Sequence, residues 1–402
     1  MKQQQLLWAF SILLLMAGCR KTEYTKIDAP AYLRVFNDLN YVQSMDTKDS
    51  KYPSLCMIIN PEIDAAGLPV GGEIVGDFLD KRDPYAPPYP SHIGNSSSVH
   101  NPEYPGKETV LVGPILNGFD LSSWAQVPSG KIRIMFYYRS YNTIPFFQLE
   151  EKLKRDVLLD TTIDLTAGEV YTLHVLEKDF NTKARGMLLR QENFHKLSLS
   201  DSTTYINFYN YSASGFVEAD AHLKPLRASL KSFLSGIKDS MNIYLTLLKT
   251  QTNPGQSPAL TGFKNVYLGQ LVRDLGNARP ATYYSFPLWA DVATDHIRTD
   301  MWQRFELVTP GIDAADNPYN GSVAGRQLTF GNFSAINCLL NGKVDIGGVT
   351  YLANGLILPN LLVNVHSGTY NPRTFATVNT IEIVNSSVYL TTIQRKYPAP
   401  VY

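Results

Sequence analysis

Residues 162–178 read TIDLTAGEVYTLHVLEK, and residues 380–396 read TIEIVNSSVYLTTIQRK. Each stretch opens Thr-Ile-acid-aliphatic, at 162–165 and 380–383. A turn-forming pair follows, Ala167-Gly168 in one and Asn385-Ser386 in the other, and each resumes Val-Tyr, at 170–171 and 388–389. Alternating apolar and polar residues on either side of a two-residue turn are the pattern of a β-hairpin. A second echo lies upstream of each. YLRVFND begins at Tyr32 and YINFYNY at Tyr205. Both alternate, both place an asparagine (Asn37, Asn210) after an aromatic, and both follow a short linker, DAPA or SDSTT. Two matching ends in the same order predict two copies of one unit, residues 31–199 and 200–402.

The interiors supply more strands. In the first copy these are PSLCMIINPEI (53–63), apolar enough to be buried on both faces, ETVLVGPIL (108–116), and KIRIMFYYR (131–139), where Ile132, Ile134 and Phe136 alternate. In the second they are SMNIYLTLLKT (240–250), RFELVTP (304–310) and LLVNVHSG (361–368). The 24 tyrosines and 18 phenylalanines, with many Val, Ile and Thr, favour sheets, and 24 prolines and 27 glycines spread along the chain suit many turns. The expected fold is all-β: two tandem antiparallel β-sandwich domains of immunoglobulin-like type. One stretch departs from it. Between 222 and 240, Leu226, Leu230, Phe233, Leu234 and Ile237 fall at helical spacing, which predicts a short helical decoration on the second domain.

The first residues predict an address. Lys2 precedes an apolar run of eleven, Leu6–Met16, too short for a hydrocarbon core that needs about 20 residues. Ala17, Gly18 and Cys19 follow. The run resembles a bacterial lipobox, with Met16 where leucine is commonest, and implies a lipoprotein signal peptide at 1–18 and lipidation at Cys19. The other reading is an ordinary cleaved signal with Cys19 incidental. Residues 19–30 are polar and read as a flexible tether. The expected location is the cell envelope, lipid-anchored, at the outer membrane. The face stays open, since RKTEYTKID lacks an acidic run.

Apolar residues are 44% of the chain and charged residues 18%, a globular composition. The 36 basic and 36 acidic residues cancel, with no basic stripe, so nucleic acid is not an expected partner. Cys56 and Cys338 sit in apolar runs and are expected as buried free thiols, a disulfide being the alternative.

The hairpin LTAGEVYTLHVLE, the opening strand YLRVFND, the tandem copies and the lipobox together resemble the bacterial surface-lipoprotein modules catalogued as domain of unknown function 4397, of Bacteroidetes-type envelopes. The resemblance covers the edges of each copy. It implies an extracytoplasmic β-sandwich and brings no catalytic residues with it.

Chemical motifs are sparse. His92, His100, His174, His195, His222, His296 and His366 are scattered, with no pair at the spacing of a helical zinc site, so no metal or cofactor is expected. There is no G-x-S-x-G elbow, Walker loop or G-x-G-x-x-G turn. Asp77, Asp80 and Asp83, and Glu169, Glu177 and Asp179, could in principle form the acid pair of a glycosidase, but acids at strand ends are more often a solvated face. Asp313, Asp316, Asn317 and Asn320 before Gly321 suit a turn better than calcium. The candidate ligand-binding residues are aromatic. Tyr85 and Tyr89 lie in a stretch (80–95) stiffened by four prolines, Tyr104 lies in NPEYPG, and Trp124 lies near a turn. Trp289 and Trp302 give no clear direction.

These observations predict a non-enzymatic envelope protein, held to the membrane by its N-terminal lipid, that binds a glycan or a partner protein or takes part in assembly. The alternative is a structural spacer or adhesin-like stalk with no small ligand. A hydrolase comes third. Exposure of Tyr85, Tyr89 and Trp124 favours the first reading, and their burial favours the second.

Overall fold

The computed structural model describes residues 26–39, 54–82, 89–90, 110–200, 203–216, 239–248, 259–276, 279–287, 289–291, 298–300, 302–308, 310, 328–330, 334–340, 343–346, 349–352, 361–367, 377–385 and 387–394. Cys19 and the signal stretch, Tyr85, Tyr104, most of the 222–240 stretch and the 311–321 loop lie outside them.

The described residues form an all-β structure. The first half contains β1 (Ala31–Asp38), β2 (Ser54–Ile63), β3 (Pro69–Asp80), β4 (Ile115–Leu116), β5 (Phe119–Asp120), β6 (Ala125–Val127), β7 (Gly130–Arg139), β8 (Val157–Leu165), β9 (Val170–Glu177) and β10 (Arg185–Glu192). They make an inner sheet, β10-β9-β1-β6, an outer sheet, β3-β2-β7-β8, and a β4-β5 ribbon. The second half contains β11 (Thr203–Asn210), β12 (Ser240–Leu248), β13 (Val266–Val272), β14 (Tyr284–Pro287), β15 (Trp289–Asp291), β16 (Arg298–Asp300) and β17 (Trp302–Val308). It continues with β18 (Leu328–Phe330), β19 (Ser334–Leu340), β20 (Lys343–Ile346), β21 (Val349–Leu352), β22 (Leu361–Ser367), β23 (Thr377–Val384) and β24 (Ser387–Gln394). Its inner sheet is β14-β11-β23-β24 and its outer sheet β13-β12-β17-β22-β19-β20-β21.

The two halves repeat one connectivity. Strands β10-β9-β1-β6 match β24-β23-β11-β14, and β3-β2-β7-β8 match β13-β12-β17-β22. The second half inserts β15–β16 before β17 and β18–β21 before β22. Alternation decides which side chains fill each sandwich. Leu33 and Val35 of β1 and Leu173 and Val175 of β9 meet Leu55, Met57, Ile59, Ile134, Phe136 and Ile163 of the outer sheet. In the second half, Ile206, Phe208, Ile381 and Ile383 meet Met241, Ile243, Leu245, Leu247, Phe305 and Leu307.

Three expectations need correction. First, residues 162–178 are not a hairpin. β8 pairs with β7 in the outer sheet, whereas β9 pairs with β1 and β10 in the inner one. The Ala167-Gly168 turn, with Gly168 at φ +76°, carries the chain across the core, so that Ile163 and Leu173 enter it from opposite sides. Of the two echoing stretches only the second, β23–β24, is a hairpin, closed between Val384 and Ser387. Second, the sheets are not purely antiparallel, because β1 runs parallel to β9 and β11 parallel to β23. Long excursions through the outer sheets supply the connection a parallel pair requires. Third, the described part of 108–116, residues 110–116, is not a continuous strand. It contributes a bridge from Val112 to Ala125 and the short β4.

The outer sheet of the first half is also covered on its far side. Phe146 and Leu149 pack on Cys56, Ile58, Met135 and Tyr137, and Cys56 is a buried free thiol. A buried clasp holds this covering segment. Arg139 Nε donates to Asp77 Oδ1 at 2.8 Å, and the Phe146 N–H donates to Asp77 Oδ2 at 2.9 Å.

Candidate functional site

Alternation in β1 leaves Arg34, Phe36 and Asp38 on the side away from the first core. An alternating strand ordinarily turns such residues to water. Here they are buried, as are Thr172 and His174 of β9 and Arg190 and Glu192 of β10. They lie against the matching face of the second half, where Tyr209, Glu382 and Tyr389 are buried in turn. The inner sheets therefore pack on each other, and the seam between them is charged.

Glu382 of β23 is the centre of that seam. Arg82 Nη2 lies 2.6 Å from Glu382 Oε2. Arg190 Nη1 lies 2.9 Å and His174 Nε2 3.5 Å from Glu382 Oε1. On the first-half side, His174 Nδ1 contacts Asp38 Oδ2 at 2.7 Å and Arg82 Nη1 contacts Asp38 Oδ1 at 3.5 Å. Arg190 donates through Nε and Nη2 to Glu192 Oε1, at 3.1 and 2.8 Å, and through Nη1 to the Tyr211 hydroxyl at 2.7 Å. Arg34 donates to Thr172 Oγ1 at 3.2 Å, and Thr172 donates to Glu192 Oε1 at 2.7 Å. Three guanidiniums thus face three carboxylates in a space closed to solvent.

Burial and pairing compete in setting protonation. Burial raises the Glu382 pKa, but Arg82, His174, Arg190 and Arg34 outweigh it and hold the carboxyl well below its ordinary range. Burial lowers Arg190 and Arg82, but their acid partners more than reverse this. For Arg34 burial wins over the more distant Glu192 and Glu382 and brings it down to about 10. Burial also pushes the Tyr209 hydroxyl up to about 12. Each guanidinium additionally lies over an aromatic ring: Arg82 on Phe36 and Tyr389 at 3.7 and 4.3 Å, Arg34 on Trp124 at 4.1 Å, and Arg190 on Tyr209 at 4.1 Å.

The seam joins equivalent surfaces. Tyr32 lies opposite Val170 and Phe36 opposite His174, while Tyr205 lies opposite Val378 and Tyr209 opposite Glu382. Superposing β1 on β11 in this register makes His174 and Glu382 counterparts, and they touch. Apolar clusters flank the charges. Trp124, Val170 and Phe194 meet Val378 and Ile393, and Leu176 and Leu188 meet Tyr209, Val384 and Tyr389. The backbone crosses as well: Phe180 N–H donates to Ser214 O at 2.8 Å, and Ser214 N–H donates to Lys178 O at 2.9 Å. Chemically, this is an internal lock, with its acids neutralised by fixed cations.

Two of the aromatic candidates belong to packing. Trp124, 1% exposed, lies under Arg34, and Tyr89, 6% exposed, sits in the first core. A Cβ on Gly76 would stand only 2.8 Å from the Tyr89 ring. Neither stands at an open rim, because each ring has more apolar surface to lose than a loop tip could cover. Of the six acids considered for a pair, Asp83 lies outside the described residues and four are separately engaged. Asp77 serves Arg139, Glu169 binds Lys196 and Gln191, Glu177 contacts Lys183, and Asp179 caps the 181–182 turn. Among the described residues no group of three or more His, Cys, Asp or Glu could hold a metal, and no helix is long and apolar enough to cross a membrane. Sequence reasoning missed Arg34, Asp38, Arg82, Arg190, Glu192 and Glu382. The available signal was the placing of Arg34, Asp38, Thr172 and His174 in two strands that otherwise read as core.

No family model matches the chain, and no curated protein matches it. The chain is similar to a crystal structure described as a "putative cell adhesion protein" from Bacteroides ovatus, at 10% identity and a TM-score of 0.15, covering 92% of this chain and 99% of that one. At that score the similarity carries no argument about activity.

Proposed function

We propose that this chain is a non-enzymatic envelope protein, lipid-anchored through Cys19, that acts as a binding or assembly component with its two halves held as one rigid body. The observation that carries this reading is the charged seam. Its ionisable groups are spent on one another, and separating the sheets would expose three arginines and three acids, with Arg82 and Arg190 already matched to acids at short range. Such a layer enforces one arrangement of the halves more than it adds net stability. A fixed arrangement suits a protein that presents surfaces to a glycan or a protein partner at a set distance from a membrane. The N-terminal pattern supports the anchor, and two acyl chains make it durable.

The test has two arms. Cells producing the full chain incorporate labelled palmitate into it, and a Cys19→Ala variant does not; incorporation by both overturns the anchor. Affinity capture of the detergent-solubilised chain from envelope extract recovers a glycan or protein; recovery of neither overturns the binding role. The burial of Tyr89 and Trp124 favours the second reading, a spacer or adhesin-like stalk, and empty capture would leave it standing.

A further inference from the structure

The far faces of the two outer sheets differ in chemistry. In the first half the middle of that face is apolar and covered by Phe146 and Leu149. In the second half, Met241, Ile243 and Leu245 of β12 point into the core, so Asn242 and Tyr244 point away from it. Their partners on β13 are Gln270 and Tyr267.

A β-bulge keeps the tyrosines together. The ladder steps from Ile243–Gly269 to Tyr244–Tyr267, leaving Leu268 as the extra residue. Without that insertion Tyr244 would face Leu268, and Tyr267 would turn towards the core. Bulges re-aim side chains in this way and are common beside binding sites. The Tyr244 and Tyr267 rings lie 5.5 Å apart at 56°. Tyr267 is 55% exposed, Gln270 is exposed, and Tyr244 and Asn242 are half-buried. Each of the seam's three arginines lies over an aromatic ring, whereas Tyr267 turns more than half of its surface to solvent.

We propose that this face of β12 and β13 is a contact surface for a neutral glycan. The sugar C–H faces stack on Tyr267 and Tyr244, and the Asn242 and Gln270 carboxamides, which both donate and accept, meet the hydroxyls. The four side chains are uncharged, and the charged residues beside them on this face, Glu306 opposite Tyr244 and Arg304 opposite Thr246, are buried, so the exposed part of the face complements a neutral chain. The inference rests on the reading of the protein as a binding component and gives that reading a ligand class and a place.

The experiment titrates the detergent-solubilised full chain with cellohexaose, mannohexaose and maltohexaose by calorimetry, with polygalacturonate as the acidic comparison. The expected result is binding of at least one neutral oligosaccharide, weakened by about tenfold or more in Tyr267→Ala and kept within about twofold in Tyr267→Phe, since stacking needs the ring. Tyr267 is exposed, so its variants keep the wild-type circular dichroism spectrum, and Tyr244→Ala serves as the second test. Lack of binding to all three neutral probes, or binding unchanged in both alanine variants, overturns the proposal. Recovery of a protein partner from envelope extract alongside empty titrations would overturn this surface while leaving the binding role intact.

Discussion

The two halves share strand order and register but finish their outer sheets differently. The first half ends at β8 and covers its far side with a looped segment, clasped by the buried Arg139–Asp77 pair. The second half continues past β22, the counterpart of β8, by pairing it with β19. In β8, Asp160, Thr162 and Asp164 are exposed, and charge on an edge strand discourages further pairing. The inner sheets vary far less, since each must fill its own core on one side and match the other sheet on the reverse. A duplicated sandwich thus tolerates new material on its outside and little in the middle.

That contrast can be tested from its strongest point outward. Glu382→Ala leaves Arg82 and Arg190 buried without their shared partner. Breaking a buried pair typically costs about 3–5 kcal/mol, so denaturant unfolding should show a loss of that size, and a loss under about 1 kcal/mol would mean the seam holds nothing together. Asp77→Ala should cost a similar amount or somewhat less, about 3 kcal/mol, but with a local signature. Limited proteolysis should cut the 140–155 segment while the second half stays intact, and equal cutting in both halves would contradict the division.

Acid should act through the seam. Burial alone would raise the Glu382 pKa, yet its cationic neighbours depress it below the ordinary 4.5. A depressed carboxyl contributes stability that is present above its unfolded value and lost as pH falls towards the folded one. The thermal midpoint should therefore hold from neutral pH down to about 4.5 and decline below it, and Glu382→Gln should flatten that decline. An unchanged acid slope in the variant would assign the effect to other groups.

Smaller effects belong to the periphery. Gly168 adopts φ +76° with open space where a Cβ would stand, so Gly168→Ala should cost about 1–2 kcal/mol from backbone conformation alone, read from the denaturation midpoint. Arg133 pairs with Asp160 at 2.7 Å, but both side chains are 40% exposed or more, so Arg133→Ala should cost under about 1 kcal/mol by chemical denaturation. A large loss there would erase the distinction between surface and seam.

Much of the architecture was legible. YLRVFND and YINFYNY are true counterparts, and the side chains of Asn37 and Asn210 each accept a backbone N–H from the residue two positions on, Leu39 and Ser212. The repeat near the C-terminal ends was misaligned. VYTLHVL at 170–176 corresponds to VNTIEIV at 378–384, whereas the stronger letter match ran one strand out of step. Turn chemistry looks alike whether a chain doubles back within a sheet or crosses between sheets, so Ala167-Gly168 could not reveal which it does.

The amino-acid order by itself determined the strand content, the alternation that fills each core, and the duplication. These are local properties, set by side-chain period and turn residues. Only the tertiary structure decided that the polar faces of β1, β9 and β23 are buried against each other, that Trp124 and Tyr89 belong to packing, and that His174 meets Glu382. Alternation says that a strand has two different faces, and a polar face can meet either water or a matched set of charges. The choice depends on residues such as Arg82 and Glu382, 300 positions apart in sequence, whose pairing no local pattern encodes.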